Sequence, residues 1–326
     1  MSKLKVTIIG AGNLATLVHY PSLTEFDDVE IVGICDLNSE RLSSAAQRFG
    51  IDKTFDNYHT MLDTTAPDAV YALMPPYHLF DIAMDVLERG HALFVEKPPA
   101  LTTHQARCLA RRATEKRVIT AVGFQRRYHP AAHQCWEQVK AKGEIHQVQA
   151  SFYKLDEPGE LHPYYRGAID ILTSDAIHAV DAIRYYTGLA DVTAVSSQVA
   201  NLDSWYAVAF NALIQFSNGA MGILTTNWRS GGRFFKFEFH GYGSVGFADI
   251  EGESTVWAND GVEPVHRSNS VESAESDQMH HTQGFKAESR AFLDAVKSGT
   301  PPHNDLQDAV KSMELVDMIY RNAINR

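Results

Sequence analysis

A glycine-rich turn near the N-terminus has the residue types and spacing that bind a dinucleotide pyrophosphate. The apolar run 6–9 ends at Gly10, and Gly12 and Ala15 follow in the pattern Gly-x-Gly-x-x-Ala. In such a turn the first glycine permits a sharp bend, the second lets backbone N–H groups approach the phosphates, and the small third residue keeps the next helix close to its strand. The N–H groups at the helix start then face the anion. The predicted pyrophosphate contacts are Gly10, Gly12, Asn13 and Leu14.

An acidic residue after the second apolar run bears on the choice of cofactor. Residues 29–35 are mostly apolar and Asp36 follows them. That is about 20 residues after the glycines, where a carboxylate accepts hydrogen bonds from the adenosine ribose hydroxyls. Because a carboxylate there would repel a ribose 2′-phosphate, Asp36 favours NAD over NADP. Arg41, one turn into the next predicted helix, would soften that preference, so NADP stays possible.

The first part of the chain alternates short apolar runs with helical periodicity, which is typical of a parallel sheet covered by helices. Helices are predicted at 39–49 and 79–89, each ended by a glycine, and Pro21 is expected to shorten or bend the first helix. The predicted strands are 5–9, 29–35, 69–73, 92–96 and 118–123. We expect residues 1–124 to form a Rossmann NAD(P)-binding domain. Lys97 then lies at the carboxyl end of a parallel strand, where open α/β sheets hold their ligands.

Residues 125–326 predict a strand-rich second domain. Phe235, Phe237 and Phe239 alternate with charged residues, as in a half-buried strand, and such strands usually form antiparallel sheets. Helices are predicted at 131–142, 174–186, 283–297 and 305–322, and strands at 145–153, 192–199, 206–216, 221–228, 233–240 and 245–250. The polar segment 260–279 is predicted to be a loop. The fold class is therefore α/β, with a Rossmann domain and a C-terminal α+β domain built on a large, mostly antiparallel open sheet.

Composition and charge exclude several classes of protein. The 326 residues include 40 acidic and 29 basic side chains, a net charge of −11, which disfavours nucleic acid and anionic membranes as partners. No apolar run approaches the roughly 18 residues of a membrane span, so we expect a soluble, cytoplasmic protein. Cys35, Cys108 and Cys135 lack CxxC spacing and are expected to be reduced thiols. His280-His281 resembles half a metal site, but without paired-ligand spacing no metal is predicted.

Several motifs together resemble those of the glucose-fructose oxidoreductase/inositol dehydrogenase/MocA (Gfo/Idh/MocA) family. Besides the N-terminal glycines they are Glu96-Lys97-Pro98, Gly123-Phe124-Gln125-Arg126-Arg127 and Asp175-Ala176-Ile177-His178-Ala179-Val180-Asp181. The resemblance covers essentially the whole chain. It implies an NAD(P)-dependent oxidoreductase that oxidises or reduces a hydroxyl carbon of a sugar, cyclitol or related polyol. It also implies homodimers or homotetramers that pair through the open face of the antiparallel sheet.

The same resemblance implies the catalytic residues. In that family the lysine of the Glu-Lys-Pro motif contacts the nicotinamide ribose and the substrate, and an acid and a histidine on a second-domain helix complete the site. Lys97, Asp175 and His178 match these positions. Hydride leaves an alcohol carbon more easily as the hydroxyl proton leaves, and a histidine suits that general base. Many members carry the acid four residues before the histidine, where this chain has Ser174, so Asp175 is either catalytic or substrate-binding.

The remaining predicted contacts border these residues. Further cofactor contacts are assigned to Arg41, Pro75, His78, Glu96, Lys97 and Gln125. The substrate contacts are assigned to Lys97, Tyr153, Arg166, Asp175 and His178. Asp181 is expected to cap or pair within its own domain, and Arg126 and Arg127 to anchor the junction between the domains.

Two other functions are compatible with the same motifs. One is an NAD-dependent glycoside hydrolase or epimerase, in which tightly held NAD oxidises the sugar transiently, so that no net NADH is released. The other is a sugar-sensing regulator that binds a dinucleotide without turnover. The presence of Lys97 and His178 argues against the regulator.

Overall fold

A computed structural model describes residues 3–155 and 167–324 of the chain. The chain forms two compact units: the first runs to Gln125 and includes Gln278–Val310, and the second comprises Arg126–Asp277 and the residues from Lys311 onward. The sequence predicts a single domain boundary between residues 124 and 125. In the structure, by contrast, the chain returns to the first unit at Gln278–Val310. The cause of this return is packing, because Phe292 and Leu293 are buried in the hydrophobic core of the first unit.

Six parallel strands form the sheet of the first unit, in the order β3-β2-β1-β4-β5-β6. The strands are β1 (Leu4–Ile9), β2 (Val29–Cys35), β3 (Thr54–Phe55), β4 (Ala69–Ala72), β5 (Ala92–Glu96) and β6 (Thr120–Gly123). This order is that of the dinucleotide-binding Rossmann fold and confirms the prediction. Strand β3 was not predicted, because two residues are too few to show a period.

Eight strands form the sheet of the second unit, in the order β14-β13-β12-β11-β7-β10-β9-β8. They are β7 (Ile145–Leu155), β8 (Val192–Ala200), β9 (Ala209–Phe216), β10 (Met221–Asn227), β11 (Arg229–Gly241), β12 (Ser244–Asp249), β13 (Glu253–Ala258) and β14 (His266–Asn269). Only the β7–β10 pair is parallel among these described strands. The mostly antiparallel sheet is thus confirmed.

The α-helices of the described residues cover both sheets. They are α1 (Tyr20–Thr24), α2 (Ser39–Phe49), α3 (Tyr58–Thr65), α4 (Pro76–Glu88), α5 (Thr103–Lys116), α6 (Pro130–Lys140), α7 (Ile177–Tyr186), α8 (Ser270–Ala274), α9 (Met279–Thr282), α10 (Phe285–Ser298) and α11 (Leu306–Arg321). None of the described helices is both long and apolar enough to cross a membrane.

The segments around Pro21 and residues 260–279 differ from the sequence prediction. A π-helical turn, Ala15–His19, precedes α1, and Pro21 lies in the first turn of α1, so the helix widens before the proline and continues through it. A proline has no N–H to donate and crowds the preceding turn, which a wider turn accommodates. The predicted loop 260–279 contains β14 and α8, because β13 offers an edge with which His266–Asn269 pairs.

The aromatic strand β11 forms part of the core of the second unit, as its alternation predicted. Phe235, Phe237 and Phe239 are fully buried, and the ring of Tyr186 on α7 contacts Phe237 and Phe239 at centroid distances of 5.6 and 4.8 Å. Lys236, between two of the buried phenylalanines, is exposed. Because successive strand residues face opposite sides, α7 covers one face of the sheet and the charged residues lie on the other.

The three cysteines are free thiols, as expected. Cys35 and Cys135 are buried, and burial raises the pKa of the Cys35 thiol to about 11 and that of Cys135 to about 12. Thiols with raised pKa values are poor nucleophiles, so these two residues contribute packing.

A buried ion pair connects α7 to the start of the second unit. Arg127 donates to both carboxylate oxygens of Asp181, at 2.8 and 2.5 Å, and the two side chains are 0% and 1% exposed. The hydroxyl of Ser312 donates to Asp181 at 2.7 Å and accepts from Arg184 at 2.7 Å. Asp181 therefore pairs within its own unit, as predicted, and Arg127 is a direct partner.

Replacing Asp181 by asparagine should lower the free energy of unfolding of the second unit by about 3 kcal/mol, because it leaves a buried guanidinium without its counter-charge. Urea unfolding followed by tryptophan fluorescence measures this, since all 4 tryptophans lie in the second unit. The matched control is Asp191→Asn, which removes an exposed pair with Lys311. An exposed pair contributes little to stability because solvent screens it, so equal losses in the two variants would contradict the buried network.

Candidate functional site

The predicted cofactor residues of the first unit gather at one edge of its sheet. Gly10 follows β1, Asp36 follows β2, Lys97 follows β5, and Gln125 lies two residues beyond the end of β6. Pro75 follows β4 and forms the N-terminal cap of α4. Because all six strands are parallel, their carboxyl ends meet at this edge, which is where such sheets bind dinucleotides.

The two glycines of the turn meet different constraints. Gly10 has a φ of +112°, and a Cβ added there would lie 2.1 Å from the carbonyl oxygen of Leu73, so no other residue fits. A Cβ on Gly12 would meet no heavy atom within 4 Å, so the packing of the protein does not require a glycine there. Asn13 and Leu14 are exposed beside it. This open backbone at a helix start suits an approaching phosphate.

Asp36 connects the glycine turn to the end of β2. Its Oδ2 atom accepts a hydrogen bond from the Ala11 N–H at 2.7 Å, and Oδ1 accepts from the Asn38 N–H at 2.8 Å. A carboxylate has about four lone-pair positions, so Asp36 can also accept from ribose hydroxyls. Arg41 is exposed nearby. It lines a pocket of about 300 Å³, whose other lining residues include Asn13, Thr16, Ser44 and Arg48.

The other predicted cofactor residues differ in exposure. His78 is exposed in the first turn of α4, and its N–H donates to the Pro75 carbonyl at 3.0 Å. Gln125 is buried, and its Oε1 atom has no hydrogen-bond partner among the described residues. A buried acceptor without a partner costs free energy, so Gln125 fits a position at which a bound ligand supplies a donor.

Glu96, predicted to contact the cofactor, lies inside the first unit. The side chain is about 10% exposed, Oε1 lies 2.8 Å from His19 Nε2, and Oε2 accepts from the Lys97 N–H at 3.1 Å. A Cβ on Gly123 would lie 2.9 Å from the Glu96 carboxyl group, so that glycine leaves room for it. Glu96 therefore supports the backbone of Lys97, which is itself half-buried.

His19 was not predicted from the sequence. It is fully buried in the π-helical turn, and its ring contacts Phe94 and Phe285 at centroid distances of 5.4 and 5.5 Å. A histidine among the apolar residues of a helix is the only sequence signal for it. Its partner, Glu96, is 77 residues away in the chain.

The histidine and acid of the second unit lie at the start of α7. His178 is 4% exposed, and Asp175 belongs to a π-helical turn, Leu172–Ala176, that precedes the helix. The sequence predicted a regular α-helix over 174–186. Each hydrogen bond of a π turn spans one more residue than in an α-helix, so α-helical spacing does not give the side-chain directions before His178.

Asp175 pairs with a residue that the sequence analysis missed. Lys154, the last residue but one of β7, forms an ion pair with the Asp175 carboxylate. Its Nζ atom lies 5.3 Å from the Phe152 ring and 5.5 Å from the Trp228 ring, within cation–π distance. Phe152 and Lys154 are two residues apart in a strand and so share the sheet face on which Asp175 lies.

Tyr153, predicted to contact substrate, lies on the other face of the sheet. Its hydroxyl is hydrogen-bonded to the hydroxyl of Thr225 on β10 at 2.9 Å. Consecutive strand residues point to opposite faces, so Tyr153 and Lys154 cannot both face Asp175. Arg166, also predicted to contact substrate, lies outside the described residues.

Positive charge surrounds Asp175 within the second unit. Arg126 is buried, and its guanidinium lies 5.3 Å from the centre of the Phe235 ring. Burial and, to a smaller extent, the charge of Arg233 lower the pKa of Arg126 to about 10, whereas Asp175 acts in the opposite direction. Arg126 remains charged at neutral pH and contributes with Lys154 to a cationic environment.

Substitutions at the two glycines should separate folding from cofactor binding. Gly12→Ala should keep its thermal unfolding temperature, because the new Cβ meets no protein atom, but bind NADH at least about tenfold more weakly, because it occupies the phosphate approach. Gly10→Ala should unfold more readily, since its Cβ would overlap the Leu73 carbonyl. Circular dichroism and calorimetric titration measure the two effects. Unchanged NADH affinity in Gly12→Ala would place the pyrophosphate elsewhere.

Comparison with known proteins agrees with this architecture. Residues 4–124 match the family model of oxidoreductases with an NAD-binding Rossmann fold (GFO_IDH_MocA), and residues 138–244 match the GFO/IDH/MocA C-terminal domain. Among solved structures, a dehydrogenase from Chromobacterium violaceum has a similar fold. It has a TM-score of 0.86 at 23% identity, over 99% of this chain and 96% of its own.

Two curated relatives carry names of sugar or cyclitol dehydrogenases. D-glucoside 3-dehydrogenase of Escherichia coli is 31% identical over 60% of this chain and 57% of its own length. The scyllo-inositol 2-dehydrogenase (NAD(+)) of Bacillus subtilis is 25% identical over 68% of this chain and 66% of its own length. The matched segments thus span less than two thirds of either relative. Together the two family models account for most of the chain, which belongs to the GFO/IDH/MocA family of oxidoreductases.

Proposed function

We propose that this chain is an NAD(P)-dependent oxidoreductase that transfers a hydride between nicotinamide and a hydroxyl carbon of a sugar, cyclitol or related polyol. The observation that carries the proposal is the edge of the parallel sheet, where an open glycine turn, Asp36 and Lys97 follow three strands of one Rossmann unit. The names of the curated relatives, a glucoside and an inositol dehydrogenase, support the substrate class.

The residues of this chain divide the chemistry between binding and proton transfer. When bound, the nicotinamide supplies the hydride acceptor. The N–H groups of the glycine turn hold the pyrophosphate, and Lys97 places a positive charge at the substrate oxygen. His178 is assigned the role of accepting the hydroxyl proton.

Asp175 has a supporting role in this proposal. Its carboxylate pairs with Lys154, so part of its hydrogen-bonding capacity is used within the second unit. We assign it to orienting His178 or holding a second substrate hydroxyl. Proton acceptance is assigned to the histidine, because the Asp175 carboxylate is already paired with the Lys154 ammonium.

Asp36 makes NAD the preferred cofactor in this proposal. The carboxylate is half-buried and held by two backbone N–H groups, so it cannot move away from a ribose 2′-phosphate without breaking them. Arg41 is exposed on the neighbouring helix and can approach a phosphate, which leaves NADP as a weaker ligand.

Calorimetric titration tests this preference. Wild-type protein should bind NADH more tightly than NADPH. Asp36→Asn should reduce the ratio of NADH affinity to NADPH affinity by about tenfold, because the amide keeps an acceptor oxygen but loses the charge. Asp52→Asn, which changes an exposed acid of the same unit, is the matched control. Equal or tighter NADPH binding by the wild type would show that Arg41 or a backbone shift overrides the carboxylate.

A turnover screen tests the activity itself. Polyols, cyclitols, aldoses and glycosides are incubated with NAD and then NADP, and nicotinamide absorbance is followed. Stoichiometric release of NADH supports the dehydrogenase. Conversion of a glycoside without NADH release would instead indicate transient oxidation by a hydrolase or epimerase, and tight sugar and NADH binding without any conversion would indicate a regulator.

Variants of the proposed catalytic residues should rank in a defined order on the best substrate. Lys97→Ala should nearly abolish turnover while retaining much of the NADH affinity, because the phosphates are held by the glycine turn. His178→Asn should slow the reaction by roughly 10²-fold, and Asp175→Asn by less. Lys53→Ala, an exposed lysine of the first unit, is the control. Greater damage from Asp175→Asn would make Asp175 the proton acceptor and His178 a substrate ligand.

The open face of the second sheet supports assembly as a homodimer or homotetramer. Leu213, Met221 and Phe247 are 61%, 47% and 42% exposed on β9, β10 and β12. Their neighbours along each strand are buried, so these apolar side chains lie on the face that α7 leaves uncovered. Light scattering coupled to size-exclusion chromatography measures the assembly.

A further inference from the structure

Three side chains converge on one point of the first unit. His280 and His281 belong to α9, and Glu25 directly follows α1, 255 residues earlier than His280. The Nε2 atoms of the two histidines lie 2.7 and 2.8 Å from the two carboxylate oxygens of Glu25. Among the residues the structure describes, this is the one group of three such side chains whose ligand atoms all lie within 4.8 Å of one another.

The local fold explains why two adjacent histidines reach one carboxylate. His280 and His281 are consecutive residues of α9, a single turn of four residues, and both side chains reach the same carboxylate. The two rings lie 4.5 Å apart, His280 is 3% exposed, and His281 is partly exposed. The buried histidine is thus held in place while the other two groups are within reach of solvent.

A positively charged side chain already lies beside the Glu25 carboxylate. The Lys286 ammonium and the Nε2 atoms of both histidines all lie within hydrogen-bond distance of the Glu25 carboxylate oxygens. Lys286 Nζ lies 2.5 Å from Glu25 Oε2 and is 27% exposed, so this ammonium supplies the charge and has room to leave.

We propose that Glu25, His280 and His281 form a binding site for a divalent transition metal ion of the Zn²⁺ class. Two imidazole nitrogens and one carboxylate oxygen are a common ligand set for zinc, with water in the fourth position. On binding, the proton on each Nε2 moves to Nδ1, the freed Nε2 lone pairs and a Glu25 oxygen ligate the ion, and the Lys286 ammonium turns to solvent.

The proposed site is separate from the dinucleotide edge. The helical segment that starts after Gly12 ends at Thr24, on the order of 15 Å further along its axis, and Glu25 follows that end. A metal ion there would connect the end of α1 to α9, and so attach the returning segment 278–310 to the rest of the first unit.

Zinc binding to chelator-treated protein tests the proposal. Titration with ZnCl₂ alone should show one ion per chain at micromolar affinity or tighter and raise the unfolding temperature, whereas MgCl₂ should do neither, since Mg²⁺ prefers oxygen ligands. Glu25→Gln and His281→Gln should each weaken zinc affinity at least about tenfold. Lys286→Met should strengthen it several-fold, because a competing cation is removed.

The matched control is His104→Gln on α5. His104 is exposed, and its Nε2 atom lies 3.7 Å from Cys108 Sγ, a surface pair that can also take zinc. Loss of zinc binding in this variant, with normal binding in His281→Gln, would assign the ion to that pair and overturn the proposal. Absence of stoichiometric zinc binding in both wild type and Lys286→Met would leave Glu25, the histidines and Lys286 as an ion-pair cluster only. Unchanged circular dichroism and NADH binding show that a variant has folded.

Discussion

The first unit depends on a close approach of two backbone segments at Gly10. The position of its missing side chain lies 2.1 Å from the carbonyl oxygen of Leu73, and the Gly10 N–H donates to the Cys35 carbonyl at 2.8 Å. The Gly10 carbonyl accepts from the Tyr20 hydroxyl at 3.2 Å. The turn is thereby joined to the ends of the two strands beside β1 and to the helix that follows it, so its N–H groups are oriented before any ligand arrives.

A second constraint, the buried Glu96 carboxylate, positions Lys97 at the same edge of the sheet. Glu96 is an acid that the fold has taken out of water, and such a group is tolerated only where hydrogen bonds compensate it. His19 and the Lys97 N–H provide them, and Gly123 provides the space. The three partners come from different segments of the unit. In the Glu-Lys-Pro motif, Glu96 therefore supports the local fold, whereas Lys97 has the proposed chemical role.

In the second unit, two acids of similar sequence context have different physical roles. Asp181 is enclosed with Arg127 and Ser312 in the interior, whereas Asp175, six residues earlier, is partly exposed and pairs with Lys154. Burial separates these roles. An enclosed and fully bonded carboxylate contributes to the packing of α7, and a partly exposed one remains available to a ligand.

Local pattern determined much of this protein, and contacts between distant residues determined the rest. The bounds of β2, β5 and α2 agree with the sequence prediction. They could be predicted because the spacing of apolar residues and a helix-ending glycine are local features of the sequence. The Rossmann unit, the open sheet and the family follow from such patterns. The pairing of His19 with Glu96, of Lys154 with Asp175, and of Glu25 with two histidines does not. Periodicity shows which face of an element is buried, but only the tertiary fold decides which distant side chain lies against it.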